Sequence, residues 1–548
     1  MERRDIDAAD SAQKRIGILL VGAGPMLAML DAALQKLANV SVQICLTASE
    51  GLPASEVALA KKAPPAPEAT LAAETAPAAV AAAAWEERVA LANWVLFGSG
   101  EQDLAELRDL DEACRRAGTP LLPGITVRGA GLAGPLVQPG AAGGWEAAWR
   151  RIRPDALGSG GEPRSDAFAE AMLANVMIAE WLKEVSQDGA SVLRDHVYLL
   201  RLDSLEGRLH PFLPHPVADG ERRSPLQIDA GRLLRSESAA QETRDLFPVF
   251  ERLTSPVTGI FHAWDEADLV QLPLSQCLVQ TADPLSASGA ELLPQIIRAG
   301  LTHLEARREA GLAGIEAYAA RLAGSSGRIS SEWASSGRIS TGRISSERQP
   351  LPIELLGIGS GATVPEAFNR ALTKALDRSL MQAARNRALT VRALRIQDIA
   401  NVEDIYCRYC LQALAVMQKP VVGEGDVILG FPTIWVRTGE RWFGAAGLNR
   451  TLALRSALLR AIMRESSPPT GSRSPGAYEI RLEAADDGAP PLVIFETDGL
   501  SSAQLSKAAL HTLGANRCRL SVFDLAAEPF LKNEFAGVFG VLLEEETK

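Results

Sequence analysis

The apolar and polar positions near the start of the chain alternate between strand-like and helix-like patterns. The apolar run from Ile16 to Val21 predicts a buried strand, and the glycines that follow it predict a tight turn. A helix is expected over Leu27 to Leu37, a second strand over Val40 to Leu46, and a third strand at Trp94 to Phe97. This order is typical of the βαβ opening of an α/β layer.

The same alternation continues far enough to define a first domain. A helix is predicted from Leu104 to Ala117, a further strand begins near Pro120, and a long apolar helix from Ala167 to Val185 closes the layer. We therefore predict a Rossmann-like α/β domain over residues 15–190, preceded by a polar, disordered start over 1–14.

Three segments in the second half share a different pattern. Each has a glycine-rich turn, a polar cap position, and then a helix with small residues on one face, at 299–320, 357–380 and 444–464. The pattern predicts a strand-to-helix unit that occurs three times, rather than a solenoid. The alternative is that these glycine- and alanine-rich helices are packing elements only.

The rest of the second half fits around these units. Residues 191–250 are expected to form connecting strands and a loop, and residues 251–548 a larger α+β domain. Within it, Ser-Gly-Arg-Ile repeats over 323–350 contain too few apolar residues to build a core, so we predict a disordered insertion. A basic contact with peptide or RNA is the alternative for these repeats.

Composition narrows the class of protein. The 548 residues are 47% hydrophobic, which fits a globular chain, and the net charge of −11 argues against a general nucleic-acid binder. There is no secretory segment after Met1 and no uncharged apolar run of bilayer length, so a cytoplasmic protein without a membrane partner is expected. Six cysteines over this length do not form a disulfide framework. The single C-x-x-C at Cys407 and Cys410 is interpreted as buried thiols, with zinc or redox chemistry as the alternative.

The first candidate chemical site is the pair Gly22 and Gly24 after the first strand. Glycines there let backbone N–H groups approach a phosphate at a helix N-terminus. Pro25 removes one of those N–H groups, and no acidic residue ends the second strand to bind a ribose. A vestigial nucleotide site and a purely structural turn therefore both remain open, and an ordinary dehydrogenase-like nucleotide binder is disfavoured.

Several segments resemble one known family, over nearly the whole chain from about residue 15 onward. The segments that carry this resemblance are residues 16–46, 131–139, 145–152, 171–176, 272–277, 282–286, 291–294 and 300–318. Through them the chain resembles the ThiF-like, ubiquitin-activating-enzyme-like fold, and more closely the thiazole-containing bacteriocin maturation proteins, also called ocin-ThiF-like or F proteins.

The resemblance implies a role in making thiazole- or oxazole-containing peptides. In such pathways a YcaO cyclodehydratase uses ATP to cyclise Cys, Ser or Thr, and the F protein is thought to deliver the ribosomal precursor peptide to it. Relatives have an N-terminal winged-helix segment that binds the leader of the precursor. This chain begins at the ThiF-like strand, so a separate leader-recognition protein is expected as a further partner.

The first two glycine-turn helices also resemble helices of the YcaO fold itself. An active YcaO domain is expected to place carboxylates there to hold Mg²⁺ and the phosphates of ATP. Ala313 stands where the first glutamate is expected, only Glu316 remains in that helix, and Lys374 replaces a glutamate in the next. A lysine ammonium repels a metal ion and offers it no lone pair. The resemblance thus implies a degenerate YcaO-like half in which Glu316 is a vestigial cofactor-binding residue.

Two functions follow from these observations. The first is a non-catalytic scaffold that partners a separate YcaO cyclodehydratase, with no catalytic residue, no metal and no cofactor of its own. The second is an ATP-dependent enzyme, either a ThiF-type adenylyltransferase or a fused cyclodehydratase, which would use ATP and Mg²⁺. The missing carboxylates favour the first.

Overall fold

The structure is a computed structural model that describes residues 15–545 with several gaps. Gaps longer than four residues fall at 48–84, 159–166, 219–224, 237–243, 332–352, 395–401, 467–479 and 484–493. The predicted disordered start and most of the predicted insertion over 323–350 lie outside the described residues. The chain divides into unit 1, Met1–Glu221 with Ser286–Glu291, and unit 2, Arg222–Leu285 with Leu292–Lys548.

The described residues of unit 1 form a seven-stranded sheet in the order β2-β1-β3-β4-β5-β6-β7. Strands β1 to β4 are parallel to one another, and β5, β6 and β7 extend the sheet in antiparallel fashion. The strands are β1 Ile16–Gly22, β2 Val40–Leu46, β3 Trp94–Gly100, β4 Leu121–Val127, β5 Ala130–Ala133, β6 His196–Arg201 and β7 Gly207–Pro211.

Five described helices accompany this sheet, and α1 packs on α5 across a core that both share with the parallel strands. The helices are α1 Gly24–Leu34, α2 over 85–90, α3 Leu104–Ala117, α4 Trp145–Arg151 and α5 Ala167–Ser186. The expected α/β class with parallel strands is therefore confirmed for this part of the chain.

The boundary of the first unit differs from the predicted one. We expected the domain to end at 190 and residues 191–250 to be a connection, but β6 and β7 are integral strands of the sheet. Val197, Leu199 and Leu200 of β6 are buried, so the strand adds to the core instead of linking two cores. Unit 1 therefore continues to Glu221, and unit 2 begins well before residue 251.

The described residues of unit 2 form three separate sheets. Their orders are β11-β10-β9, β12-β8-β19-β20-β13 and β17-β16-β15-β14-β18. The strands are β8 Leu226–Ile228, β9 Phe261–Asp265, β10 Ser275–Thr281, β11 Ile296–Gly300, β12 Ser330–Ser331, β13 Gly357–Gly361, β14 Leu389–Ala393, β15 Val421–Gly425, β16 Thr433–Thr438, β17 Arg441–Ala446, β18 Ile480–Glu483, β19 Cys518–Asp524 and β20 Gly537–Glu545.

The described helices of unit 2 pack on these sheets. They are α6 Ala230–Ser236, α7 Phe247–Leu253, α8 His303–Ser325, α9 Val364–Asn386, α10 Ile405–Met417, α11 Arg450–Ser466, α12 Ser502–Ala515 and α13 Pro529–Glu534. The end of α8 and the whole of β12 lie within residues 323–350, which were predicted to be a disordered insertion. That prediction therefore does not hold for 323–325 and 330–331. Among the described helices of both units, none is long and apolar enough to cross a membrane.

The strand-to-helix unit predicted three times is confirmed. Strand β11 leads into α8, β13 into α9 and β17 into α11, and each of these strands is the terminal strand of its sheet. A single glycine precedes each helix: Gly300, Gly361 and Gly447. A Cβ on these glycines would lie 2.9, 2.8 and 2.4 Å from the backbone nitrogen of the alanine six residues later. Only glycine allows the helix to start this close to its strand.

Candidate functional site

The three copies correspond residue by residue when positions are counted from the turn glycines. The second residue after each glycine caps the helix: Thr302, Thr363 and Asn449. The Thr302 and Thr363 hydroxyls accept from Glu305 N at 3.1 Å and from Glu366 N at 3.3 Å, and Asn449 Oδ1 accepts from a backbone N–H at 2.8 Å. These caps fix where each helix begins and hence where its side chains project.

Glu316, the one site residue predicted in this half, lies at the junction of the first and second copies. Its side chain is 5% exposed and accepts hydrogen bonds from three donors. Ser360 N lies 3.1 Å from Oε1, Arg370 Nε lies 3.0 Å from the same oxygen, and Lys374 Nζ donates to Oε2. Both oxygens of the carboxylate are therefore in use within the protein.

Arg370 joins a second carboxylate to this junction. Its Nη1 lies 2.7 Å from both oxygens of Glu309. Burial opposes the ionisation of Glu316, but Arg370 and Lys374 outweigh it and hold the pKa of that carboxyl at about 2. Burial likewise opposes ionisation of Glu309, whose pKa Arg370 nevertheless holds below its usual value. Both carboxyl groups are ionised at neutral pH, each facing a cation.

The junction of the second and third copies repeats this chemistry. Asp377 is the residue of the second copy that corresponds to Glu316, and Arg460 of the third corresponds to Lys374. Arg460 donates to Asp377 Oδ2, and Ala446 N lies 3.0 Å from Oδ1. As with Ser360 at Glu316, Ala446 is the residue just before the glycine of the next copy.

The remaining positions of this set are apolar. Ala313, which corresponds to Lys374 and Arg460, is buried, and Met463, which corresponds to Glu316 and Asp377, packs against a core cluster that contains Ala299. Ala299 in turn precedes the glycine of the first copy. An ion pair between neighbouring copies, here called the charged joint, thus occurs twice, as Glu316–Lys374 and Asp377–Arg460. The corresponding residues of a third pair are apolar.

These contacts determine what the cluster can bind. Mg²⁺ requires oxygen ligands with free lone pairs, in nearly ideal octahedral geometry. The carboxylate of Glu316 already has an ammonium group, a guanidinium group and a backbone N–H against it, and Glu309 has Arg370. As they are arranged, Glu309 and Glu316 do not fit a Mg²⁺-nucleotide site.

The predicted pair Gly22 and Gly24 lies at the carboxyl end of β1, where α1 begins. Gly22 has a φ of +142°, and a Cβ there would lie 2.0 Å from Gly98 O, so the glycine is required by the neighbouring strand. Pro25 is in the first turn of α1, and Met26 N donates to Glu170 Oε2 at 2.8 Å. A carboxylate of the protein therefore occupies a donor that a phosphate would use.

The same edge of the sheet holds a buried acid that sequence reasoning missed. Asp103 Oδ2 accepts from Thr47 Oγ1 at 2.7 Å and also from the hydroxyl of Ser99. Burial, with Asp103 and Asp109 nearby, raises the pKa of Glu106 to about 7. Glu170 lies on α5 and Asp103 just before α3, both distant in sequence from β1, so no local motif marks them.

Cys407 and Cys410 lie on α10 and are both buried. Burial raises the pKa of the Cys410 thiol to about 12 and that of Cys407 still further. Thiols in such surroundings are poor nucleophiles and poor metal ligands. This arrangement favours the interpretation of buried thiols over zinc or redox chemistry.

Comparison with known proteins assigns the fold but no family. No family model matches the sequence, and no curated protein matches it. A solved structure described as a heterocyclase in complex with substrate and cofactor aligns with 97% of this chain and 81% of its own, with a TM-score of 0.59 and 14% identity. The heterocyclase TruD aligns with 97% of this chain and 79% of its own, with a TM-score of 0.52 and 14% identity. The chain therefore shares a mixed α/β fold with heterocyclases over nearly its whole length.

Proposed function

We propose that this chain is a non-catalytic scaffold that binds a ribosomal precursor peptide and presents it to a partner YcaO cyclodehydratase for thiazole or oxazole formation. The heterocyclase fold supports a place in peptide cyclisation. The contacts of Glu316 support the absence of a catalytic role. A separate leader-recognition protein and a cytoplasmic location belong to the same proposal.

The observation that carries the proposal is the environment of Glu316. A catalytic ATP site needs its carboxylates to neutralise phosphate charge through Mg²⁺. Here Lys374 and Arg370 neutralise the carboxylate instead, and Lys374 stands where the resemblance expects a glutamate. A buried carboxylate needs a counter-ion, because removing its partner is strongly destabilising. Lys374 and Arg370 supply that positive charge in the place of a metal ion.

A scaffold without chemistry of its own still accelerates a reaction. Holding peptide and enzyme together makes their encounter intramolecular, which raises the effective concentration of one near the other. In unit 1, β7 is a terminal strand of the described sheet, and its residues Gly207 to Leu209 are exposed. An extended leader would pair along such an edge by β-augmentation.

The test is reconstitution of a YcaO enzyme and its precursor, with and without the full chain. Mass spectrometry follows the loss of one water per ring, and an equal amount of heat-denatured chain is the control. We expect faster ring formation only with the folded chain, together with a complex in size-exclusion chromatography. Equal rates in all samples, with no complex, would refute the scaffold.

The heterocyclase likeness itself favours one alternative, an ATP-dependent peptide-modifying enzyme. This alternative requires Mg²⁺-dependent ATP binding by the chain alone. Isothermal titration calorimetry with ATP and Mg²⁺ decides between the two functions. We expect no binding, and a micromolar dissociation constant that disappears with EDTA would establish the alternative.

A further inference from the structure

The cluster around Glu316 contains the cations Arg298, Arg370, Lys374 and Arg460. Among the described residues, Arg298 is the member of this set to which no carboxylate is bonded. It lies on β11 and its Nη1 donates to Ile297 O at 3.0 Å, the one hydrogen bond of its side chain there. Its charge lies within electrostatic range of Glu316, Glu309, Arg370 and Arg460. A guanidinium group has five N–H donors, so most of the donors of Arg298 are unused.

Arg298 is not part of the repeated architecture. It stands two residues before Gly300, and the corresponding residues of the other copies are Gly359 and Ala445. Those two copies form the same strand, turn and helix without a charged side chain at this position. The fold therefore does not require an arginine here, which points to a role in binding.

The nearby carboxylates that form ion pairs do so with cations other than Arg298. Glu309, Glu316 and Asp377 are bonded to Arg370, Lys374 and Arg460. Arg298 lies in a half-buried position and has no bonded carboxylate among the described residues. An unpaired charge away from water is costly unless a ligand of opposite charge accompanies it.

The cluster is also reachable from solvent. The side chains of Lys374 and Arg460 are 35% and 38% exposed. Each retains N–H donors beyond those bonded to its carboxylate, since an ammonium has three and a guanidinium five. Both side chains lie within electrostatic range of Arg298, so a small anion beside Arg298 would be attracted by all three cations.

We propose that Arg298, together with Lys374 and Arg460, binds an oxyanion without the help of a metal ion. The ligand is a carboxylate of an acidic peptide or a phosphate group, since both present oxygens that a guanidinium fork matches. The peptide form rests on the proposed function, because the precursor would supply the carboxylate. The site would then hold an acidic residue of the precursor against unit 2.

The test is isothermal titration calorimetry of the full chain at pH 7, with EDTA and constant ionic strength. One probe is inorganic phosphate, and the other is an acetylated, amidated peptide with two glutamates, with its glutamine counterpart as a neutral control. We expect saturable binding of at least one anionic probe. Arg298→Leu should weaken it by about tenfold or more, because a hydrogen bond to a charged group is lost.

Two further variants keep the result interpretable. Arg298→Lys retains the charge and should weaken binding less than Arg298→Leu, and Arg441→Leu changes an exposed arginine on β17 and should leave affinity unchanged. Circular dichroism establishes that each variant is folded; if Arg298→Leu is not, the lysine variant must still lower affinity. Binding of phosphate alone or of the acidic peptide alone identifies the source of the oxyanion.

Absence of saturable binding by both probes, or equal affinity in wild type and the Arg298 variants, would overturn the proposal. The reconstitution experiment is independent of this outcome. If the chain accelerates ring formation but binds neither probe, only the anion site fails. If it binds an anion through Arg298 but does not accelerate ring formation, the scaffold function fails and the site remains.

Discussion

Lys374 and Arg460 occupy the same position in two successive copies of the strand-to-helix unit, thirteen residues after Gly361 and Gly447. Each donates to a carboxylate of the preceding copy, Lys374 to Glu316 and Arg460 to Asp377. Lys374 therefore has a structural role within unit 2. Its ion pair with Glu316 and the ion pair of Arg460 with Asp377 are equivalent contacts that join neighbouring copies.

Removing either of these ion pairs should destabilise unit 2. Lys374→Met and Arg460→Met each leave a poorly exposed carboxylate with one donor fewer, which we expect to cost about 1–3 kcal/mol. The Tm of the full chain measures the effect. Arg441→Met, at an exposed position of β17, is the control and should change stability by less than about 0.5 kcal/mol. Equal Tm values for all three variants would contradict this role.

The stability of unit 2 should depend on pH through Glu316. Its pKa is about 2 in the folded chain against an ordinary 4.5, so its ionised form stabilises the fold above about pH 4.5. That stabilisation, roughly 3 kcal/mol for such a shift, is lost as the pH falls from about 4.5 towards 2.

Urea unfolding of wild type and Glu316→Gln between pH 6 and pH 2 tests this dependence. The stability of the glutamine variant should fall less steeply over that range, so that the two curves converge at low pH. Exposed Glu354→Gln is the control. A constant difference between wild type and Glu316→Gln at every pH would rule out this titration.

The close contact of α9 with β13 predicts opposite effects for two glycine-to-alanine changes. At Gly359 a Cβ would lie 2.3 Å from Ala371 N, a backbone atom that cannot move without shifting α9. At Gly514, within α12, a Cβ would have no neighbour within 4 Å. Gly359→Ala should therefore lower the Tm sharply. Gly514→Ala should stabilise by up to about 1 kcal/mol, since alanine favours a helix. Stabilisation by both changes would show that α9 is not held against β13.

In unit 1, Glu170 should protect the start of α1. Glu170→Ala removes the acceptor of Met26 N, and an unsatisfied buried N–H costs about 1–3 kcal/mol. Hydrogen exchange of the Met26 amide should accelerate in this variant. Glu87→Ala, at an exposed position of α2, is the matched control. Unchanged exchange in Glu170→Ala would show that the contact does not hold the helix start.

Local sequence patterns were sufficient for most elements of unit 1. The predicted strand over Val40 to Leu46 and the predicted helix over Leu104 to Ala117 match β2 and α3. Strong apolar periodicity determines such segments within the chain. The unit boundary was harder, because β6 joins the sheet through pairing with β5, a partner distant in sequence.

The candidate site could be predicted only in part. Glu316 and Lys374 were identified from the resemblance, and the glycine turns from their shared pattern. Asp377 and Arg460 could have been found by counting the same offsets in the second and third copies. Arg298 and Glu170 could not, because their significance depends on which charges the fold brings near them.

Ala313 and Met463 are apolar where the other copies carry charged residues, so the copies can be compared with one another to see which residues each position accepts. Two copies show which residues a charged joint requires, and the remaining position shows what the fold tolerates without one. Replacing Ala313 by lysine and Met463 by glutamate would give these positions the residue types that the other copies carry. Each position of the strand-to-helix unit therefore has two counterparts in the same chain. Comparing the three shows which residues the unit accepts at that position.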